Sequence, residues 1–247
     1  MSQTDKVEWS LYATDLTTKL AIMPAKSSHL YLEHNEPGSG EMKIPLDSDT
    51  AALVTEGMFC QCSYRGAVRG GFFVDLIGRS EVNSDEEGGR WMSLSGRGGM
   101  ALLERAIVWD EGIFSTTRDF TAQTMASVLI ALIDEAHVRG TIPQLTYDFD
   151  AVNDSAAVAW TDSDEYSFSV DMTLLGVVRQ FALAGGIEFE ITPSGGNFVL
   201  SAYKNAIGTD KSETVFFRTG SNCEEIFSDE RGGVEVKRIY DALRPCT

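Results

Sequence analysis

The stretch SLSGRGGMALLERAIVWD, residues 93–110, joins a strand-like segment to a short helical one through a run of glycines. Gly96, Gly98 and Ala101 fall on the spacing G-x-G-x-x-A, which is typical of dinucleotide-binding loops. Such a loop follows a buried parallel strand, opens a helix that crosses back over the sheet and precedes an acidic residue about 20 positions further on. The question is whether a phosphate binds here or the glycines only turn the chain.

The flanking residues favour a structural turn. RWMSLS (90–95) alternates like a half-exposed strand, and the helical segment from Met100 to about Ala106 is under two turns long before IVWD follows at once. The crossover helix that a dinucleotide site needs is therefore missing. We predict a tight turn, which a positive φ at Gly98 would explain, and no cofactor.

Upstream of this stretch, the sequence consists of short alternating segments rich in β-branched and aromatic residues, with turn-rich breaks between them. The predicted strands cover residues 7–14, 19–23, 29–34, 41–46, 58–64, 71–82 and 90–95. RGAVRG (65–70) predicts a hairpin and NSDEEGG (83–89) a further turn. Because no helix-length segment separates these strands, they predict an antiparallel sandwich or barrel.

Downstream, apolar residues recur at helical spacing in two segments. The first predicted helix has its cap at Asp119 or Thr121, runs to about Arg139 and stops at Gly140. The predicted core positions of the two helices are Met125, Val128, Leu129, Leu132, Ile133, Ala136, Leu174, Leu175, Val178, Phe181 and Ala182. The fold class predicted for the whole chain is α+β, mainly antiparallel β, with two amphipathic helices.

The second helix is capped by Asp171 in this prediction and ends at Gly185 and Gly186. IPQLTYDFDA (142–151) is expected to be extended. IEFEI (187–191) alternates strictly and, with the turn PSGGN, predicts a hairpin with FVLSAY (198–203). The change from strands to helices near residues 115–120 predicts a domain boundary there.

The charge balance is strongly acidic. Lys and Arg total 20 and Asp and Glu total 37, so the formal net charge is −17, which disfavours adhesion to nucleic acid. Between Arg139 and Arg179 the sequence has no basic residue. The acidic residues in that interval are Asp148, Asp150, Asp154, Asp162, Asp164, Glu165 and Asp171. We predict a surface that repels polyanions.

Several classes of site find no support in the sequence. No apolar window reaches the ~20 residues of a membrane helix, and the N-terminus has no signal-peptide pattern. The four cysteines, Cys60, Cys62, Cys223 and Cys246, are interpreted as buried reduced thiols. No metal is assigned, since His29, His34 and His137 lack ligand spacing. No catalytic residue is assigned either, although Asp148 and Asp150 leave a glycosidase pair open.

Four segments resemble, in order and texture, the N-terminal part of siphophage tail-tip hub proteins, which are related to the baseplate hub of contractile tails. They are WMSLSGRGGMALLERAIVWD (91–110), RGTIPQLTYDFDAVNDSAAVAW (139–160), LLGVVRQFALAGGIEFEITPSGGNFVLSAY (174–203) and VFFRTGSN (215–222). The most specific piece is the glycine turn into the short helix of Leu102, Leu103, Glu104 and Arg105, followed by an aromatic strand end at Trp109.

The resemblance implies a non-enzymatic virion protein, a homotrimer that closes the distal end of the tail tube. It implies contacts with the distal tail protein, the tape measure protein and other tail-tip proteins, with DNA passing without specific binding and no membrane insertion. Residues 1–118 would be a tail-tube-like barrel or sandwich and residues 119–247 an α+β hub domain. Assembly would take place in the host cytoplasm and the location would be the tail tip.

Two other functions stay open at this stage. One is a tail-associated cell-wall hydrolase that uses Asp148 and Asp150, and the other is a soluble acidic binding module. If the interval 140–179 or the SDEEGG loop lines a channel, the channel would carry a negative potential.

Overall fold

The computed structural model describes residues 7–82, 89–109, 116–194, 196–204, 223–228 and 234–239. By internal contacts the chain divides into two compact units, Met1–Ala206 and Ile207–Thr247. The second unit contains one described hairpin of two antiparallel strands. The domain boundary predicted near residues 118 and 119 stays a prediction.

The predicted strand-rich half is confirmed as two four-stranded antiparallel sheets. Its strands are β1 (Val7–Tyr12), β2 (Lys19–Ile22), β3 (Ser27–Tyr31), β4 (Ser39–Pro45), β5 (Phe59–Tyr64), β6 (Ala67–Phe73), β7 (Leu76–Val82) and β8 (Gly89–Arg97). Sheet 1 has the order β2-β1-β5-β6, and sheet 2 has the order β3-β4-β8-β7. A five-residue helix, α1 (Asp49–Leu53), begins after its cap Ser48. The predicted hairpin lies between β5 and β6, where Arg65 and Gly66 both have positive φ.

Sheets 1 and 2 pack face to face around one buried apolar cluster. In β4, every second residue is buried, and the neighbouring positions of β8 follow the same alternation. Met42, Ile44 and Leu94 from sheet 2 share the cluster with Trp9 and Phe72 from sheet 1. This arrangement is a sandwich of two open sheets, as the alternation predicts.

The prediction of one strand over residues 71–82 is wrong, because the chain changes sheets in the middle of that segment. β6 ends at Phe73 in sheet 1, and β7 begins at Leu76 in sheet 2. The amide of Val74 donates to the carbonyl of Met58 at 2.8 Å, whereas the amide of Asp75 donates to the carbonyl of Ser95 at 3.1 Å. Hydrogen-bond partners therefore switch between two consecutive residues.

The rest of the first unit combines helices with short strands. Its elements are a 3₁₀ helix (Gly99–Arg105), β9 (Thr117–Gln123), α2 (Met125–Val138), β10 (Leu145–Tyr147), β11 (Asp164–Ser169), α3 (Leu174–Gly185), β12 (Glu188–Ser194) and β13 (Asn197–Tyr203); β14 (Cys223–Ser228) and β15 (Val234–Ile239) belong to the second unit. β12 and β13 form the predicted hairpin, β10 joins β13 in parallel, and β9 pairs with β11. The α+β, mainly antiparallel class is confirmed.

The predicted N-terminal caps of both helices are wrong. Asp119 and Thr121 lie within β9, whose pairing with β11 holds them extended. The side chain of Thr124 caps α2 by accepting from the amide of Ser127 at 3.1 Å. Thr173, not Asp171, caps α3 in the same way.

The ends of the helices match the prediction. α2 stops just before Gly140, which has a φ of +70°, and α3 stops at Gly186, with a φ of +62°. At these two positions the left-handed backbone favours glycine. The predicted buried face is confirmed along both helices, with Ala182 partly buried.

A second buried cluster lies on the other side of sheet 1. It contains α2, α3, the 3₁₀ helix and the aromatic residues Phe59, Phe73 and Phe198. The ring of Phe59 lies 5.0 Å from that of Phe73 and 4.9 Å from that of Phe198. Strands β5 and β6 of sheet 1 are therefore buried on both faces, whereas sheet 2 is covered on one.

Candidate interaction surfaces

The glycine turn at residues 96–99 lies where sheet 2 meets the helices. A Cβ atom at Gly96 would lie 1.8 Å from the carbonyl oxygen of Phe73, and one at Gly98 would lie 2.1 Å from that of Pro37. The φ of Gly98 is −72°, so the prediction of a positive φ is wrong. Glycine is needed there because another backbone segment approaches too closely for any side chain.

Two amides of this turn donate to backbone carbonyls, one of them distant in sequence. Gly98 donates to the carbonyl of Gly38 at 3.3 Å, and Ala101 donates to that of Gly98 at 3.0 Å. The helix that follows is a seven-residue 3₁₀ helix, so the α-helical N-terminus that binds a dinucleotide phosphate does not form. The structure therefore places a packed junction at the G-x-G-x-x-A spacing.

Ion pairs tie this junction together. Arg97 donates from Nε to Asp75 Oδ2 at 2.8 Å and from its amide to the same oxygen at 3.0 Å, and it also pairs with Glu104. Burial opposes the charge of Asp75, but the hydrogen bonds and the charge of Arg97 hold its pKa below the ordinary value. Arg179 of α3 pairs with Glu36 in the β3–β4 connection. These ion pairs stabilise the contact between sheet 2, the 3₁₀ helix and α3.

The outward face of sheet 2 is a polar surface that the fold leaves uncovered. It carries Ser27, His29, Tyr31, Ser39, Glu41, Lys43, Leu76, Gly78, Trp91, Ser93, Ser95 and Arg97. Two shallow clefts, of about 260 and 360 Å³, lie along β3, β4 and β8 on this face. His29 and Glu41 approach within 4.0 Å. We call this surface the open face; the alternation of 41–46 and 90–95 was the sequence signal for it.

The edges of sheet 2 are also available. β3 and β7 are its outer strands, and among the described residues neither has a second strand partner. β7 pairs with β8 over seven residues without a register break. Because four strands alternate in direction, the two edges run in opposite directions. A second copy placed head to tail would continue the antiparallel pattern.

The acidic interval has two parts with different roles. Asp154 is buried and accepts from the amides of Ala156, Val158 and Lys204 at 2.7–2.9 Å. Asp150 accepts from the amides of Asn153 and Val152, both at 2.7 Å, and these bonds lower its pKa. Such bonds hold turns in place.

Asp148, the other half of the carboxylate pair, accepts from Ser201 Oγ at 2.9 Å and from Ser155 Oγ. Asp148 and Asp150 therefore both accept hydrogen bonds from groups of this chain. Asp164, Glu165 and Asp171 are exposed and fit the predicted surface. Residues 83–88, which contain the acidic loop, lie outside the described residues.

The two cysteines whose side chains the structure describes are buried thiols. Cys60 and Cys62 are free and buried, and burial raises the pKa of the Cys60 thiol to about 12. The Cys223 side chain and Cys246 lie outside what the structure describes. In the described part of the chain, no group of three or more His, Cys, Asp or Glu residues is placed to hold a metal ion. No described helix is long and apolar enough to cross a membrane.

The sequence matches no protein-family model and no curated protein sequence. The fold is similar to that of solved structures. The 43 kDa tail protein of prophage MuSo2 from Shewanella oneidensis is similar over 90% of this chain and 62% of its own, with a TM-score of 0.55 and 16% identity. The tail protein from Neisseria meningitidis MC58 is similar over 90% of this chain and 58% of its own, with a TM-score of 0.55 and 15% identity.

The chain has the fold of these tail proteins. It spans about three fifths of the length of each. Because the identities are so low, the comparison concerns the arrangement of strands and helices and not individual residues.

Proposed function

We propose that this protein is a structural component of a bacteriophage tail, and that it acts there as a hub that closes the distal end of the tail tube. The observation that carries the proposal is the likeness of the fold, over 90% of the chain, to two tail proteins. Two further observations support it: the glycine turn forms a packed junction, and the carboxylates Asp148 and Asp150 accept hydrogen bonds from nearby amides or hydroxyls of the chain.

In this proposal three copies form a ring through the edges of sheet 2. The β7 edge of one copy pairs with the β3 edge of the next, which continues the antiparallel order and removes exposed edges. Sheet 1 and the helices cover one face of sheet 2, so the bulk of each first unit lies on that side. The open face therefore points toward the axis, because the bulk has room only on the outside of the ring.

The proposed ring surrounds a channel for the tape measure protein and then for DNA. The open face carries the serines Ser27, Ser39, Ser93 and Ser95, with Glu41 and Lys43 as neighbours of opposite charge. Arg97, on the same face, is paired with Asp75 and Glu104. Cations that have acidic partners or neighbours hold phosphates weakly, so in this proposal DNA passes without specific binding. The distal tail protein and other tail-tip proteins are the proposed neighbours, the tail tip of the virion is the proposed location, and the host cytoplasm is where assembly occurs.

Electron cryomicroscopy of the whole virion tests this function. We expect copies of the chain around the tail axis at its distal end, with threefold symmetry and the open face toward the lumen. Absence from the virion would remove the tail function altogether. A position along the tube, or a ring with another symmetry, would retain a tail role and overturn the hub.

A further inference from the structure

A small apolar surface lies at one end of the α2–α3 pair. Trp109 is 51% exposed, Val138 at the end of α2 is 79% exposed, and Ile107 is 38% exposed. We call these three residues the Trp109 patch. An exposed tryptophan with aliphatic neighbours is a common centre of a protein interface, since such residues contribute much of the binding energy when they are covered.

The backbone that carries Trp109 is held from two sides. Arg139, directly after Val138, donates from Nη2 to the carbonyl of Ile107 at 2.7 Å and from Nη1 to the carbonyl of Trp109. The amide of Val108 donates to the carbonyl of Met172 at 2.8 Å, and Ile107 bridges to Thr173. These contacts bring the end of α2 and the start of α3 to the patch. They fix its backbone, so that little ordering remains to be done on binding.

The surroundings of the patch are acidic. Asp134 is exposed one helical turn before Val138, and Asp171 is exposed next to Met172, whose carbonyl binds the patch backbone. The guanidinium group of Arg139, the basic group in contact with the patch, is directed at two backbone carbonyls.

We propose that the Trp109 patch binds a segment of another protein that presents apolar side chains flanked by Lys and Arg, such as a basic amphipathic helix. Charge complementarity favours this occupant, because its cations would face the acidic surroundings of the patch. A second copy of the chain fits less well. A symmetric contact through the patch would set acidic groups opposite acidic groups on two chains of net charge −17.

A binding titration with a synthetic probe tests the proposal. The probe is a fluorescein-labelled helical peptide of Leu and Lys, about five turns long, with its Leu residues on one face. We expect Trp109→Ala to raise its Kd about tenfold or more and Val138→Asn to raise it by a smaller factor. The matched control is Leu183→Ala, which removes an 89% exposed apolar side chain near the far end of α3 and should leave the Kd unchanged.

Two further measurements complete the test. A peptide with Glu in place of every Lys should not bind, and circular dichroism should show the same melting temperature for all three variants and the parent. Equal affinity of the Lys peptide for the Trp109→Ala and parent proteins would overturn the proposal, since binding would then come from the acidic surface in general. Self-association of the parent that Trp109→Ala abolishes, seen by sedimentation, would assign the patch to a second copy and would overturn it as well.

Discussion

Sheet 1 and sheet 2 each contain four antiparallel strands, but they differ in how many faces they bury. In sheet 1, Cys60 and Phe72 face one core while their neighbours Phe59 and Phe73 face the other. In β4 of sheet 2, buried Met42 alternates with exposed Glu41 and Lys43. A strand buried on both sides shows consecutive apolar residues, and a strand buried on one side shows alternation. The sequence FFV (72–74) in sheet 1 and the sequence EMKI (41–44) in sheet 2 show that difference.

The largest expected effect separates the two sheets directly. Phe73→Ala removes a ring that is 1% exposed and should lower the free energy of unfolding by about 3–5 kcal/mol, because it leaves a cavity beside Phe59. Tyr31→Ala, on the open face, should change it by about 0.5 kcal/mol or less. Urea unfolding of both variants measures the difference. Equal losses would mean that sheet 1 is not buried on its second side.

Next in size is the glycine junction. Gly98→Val should lower the free energy of unfolding by about 1–3 kcal/mol, because its Cβ would meet the carbonyl of Pro37. The matched control in sheet 2 is Gly78→Ala, whose Cβ would lie 3.7 Å from that of Ser93 in ordinary contact. That variant should keep the parent stability or gain up to about 1 kcal/mol, because alanine has less backbone entropy to lose than glycine. Thermal or urea unfolding compares them, and a harmless Gly98→Val would contradict the close approach.

A smaller effect concerns the turn between β1 and β2 in sheet 1. The amide of Thr18, its hydroxyl and the amide of Thr17 donate to Asp15 and lower its pKa from 3.8 to about 2. A carboxyl with a lowered folded-state pKa stabilises the fold above its unfolded pKa, and this contribution disappears as the pH falls through the folded value. Asp15→Asn should therefore be less stable than the parent at neutral pH, and the gap should narrow between pH 3.8 and about 2. Melting temperatures across that range report the gap, and a constant gap would contradict the assigned pKa.

The smallest expected effect on stability distinguishes the open face from the acidic interval. Changing Asp162, Asp164 and Glu165 together to Lys should alter the free energy of unfolding by about 1 kcal/mol or less, since Asp164 and Glu165 are exposed and Asp162 is half-buried. In the proposed ring these residues lie away from the channel, so phage carrying the change should eject DNA at the normal rate. Ser93→Lys with Ser95→Lys on the open face should slow ejection, most clearly at low salt.

The opposite result would favour the channel lining that the acidic sequence suggested. Slow ejection from phage with the triple reversal, together with normal ejection from phage with the two serine changes, would place the acidic interval in the channel. Such a result would also mean that the open face of sheet 2 does not point toward the axis of the ring. Tail assembly, scored by electron microscopy, separates either effect from a failure to assemble.

Much of the local architecture follows from patterns within about ten residues. Alternation located the strands and their inward residues, helical spacing located the buried faces of α2 and α3, and Gly140 and Gly186 marked where those helices end. These features are local because a residue's side of a strand or helix depends only on backbone periodicity, and a left-handed turn needs only a glycine.

Other features depend on residues far apart in sequence. The chain leaves sheet 1 at Val74 because Met58 binds that amide, whereas Ser95 binds the next one. Asp119 and Thr121 fail as caps because β11 pairs with their strand, and β10 joins β13 in parallel across 50 residues of chain. Gly98 is required by the carbonyl of Pro37, some 60 residues away along the chain, and not by its own φ. The sequence by itself determined which side chains face inward and where turns occur. Only the tertiary structure decided which backbone segments meet. Hydrogen bonds and close approaches between distant segments produce no periodic pattern in the sequence of either segment.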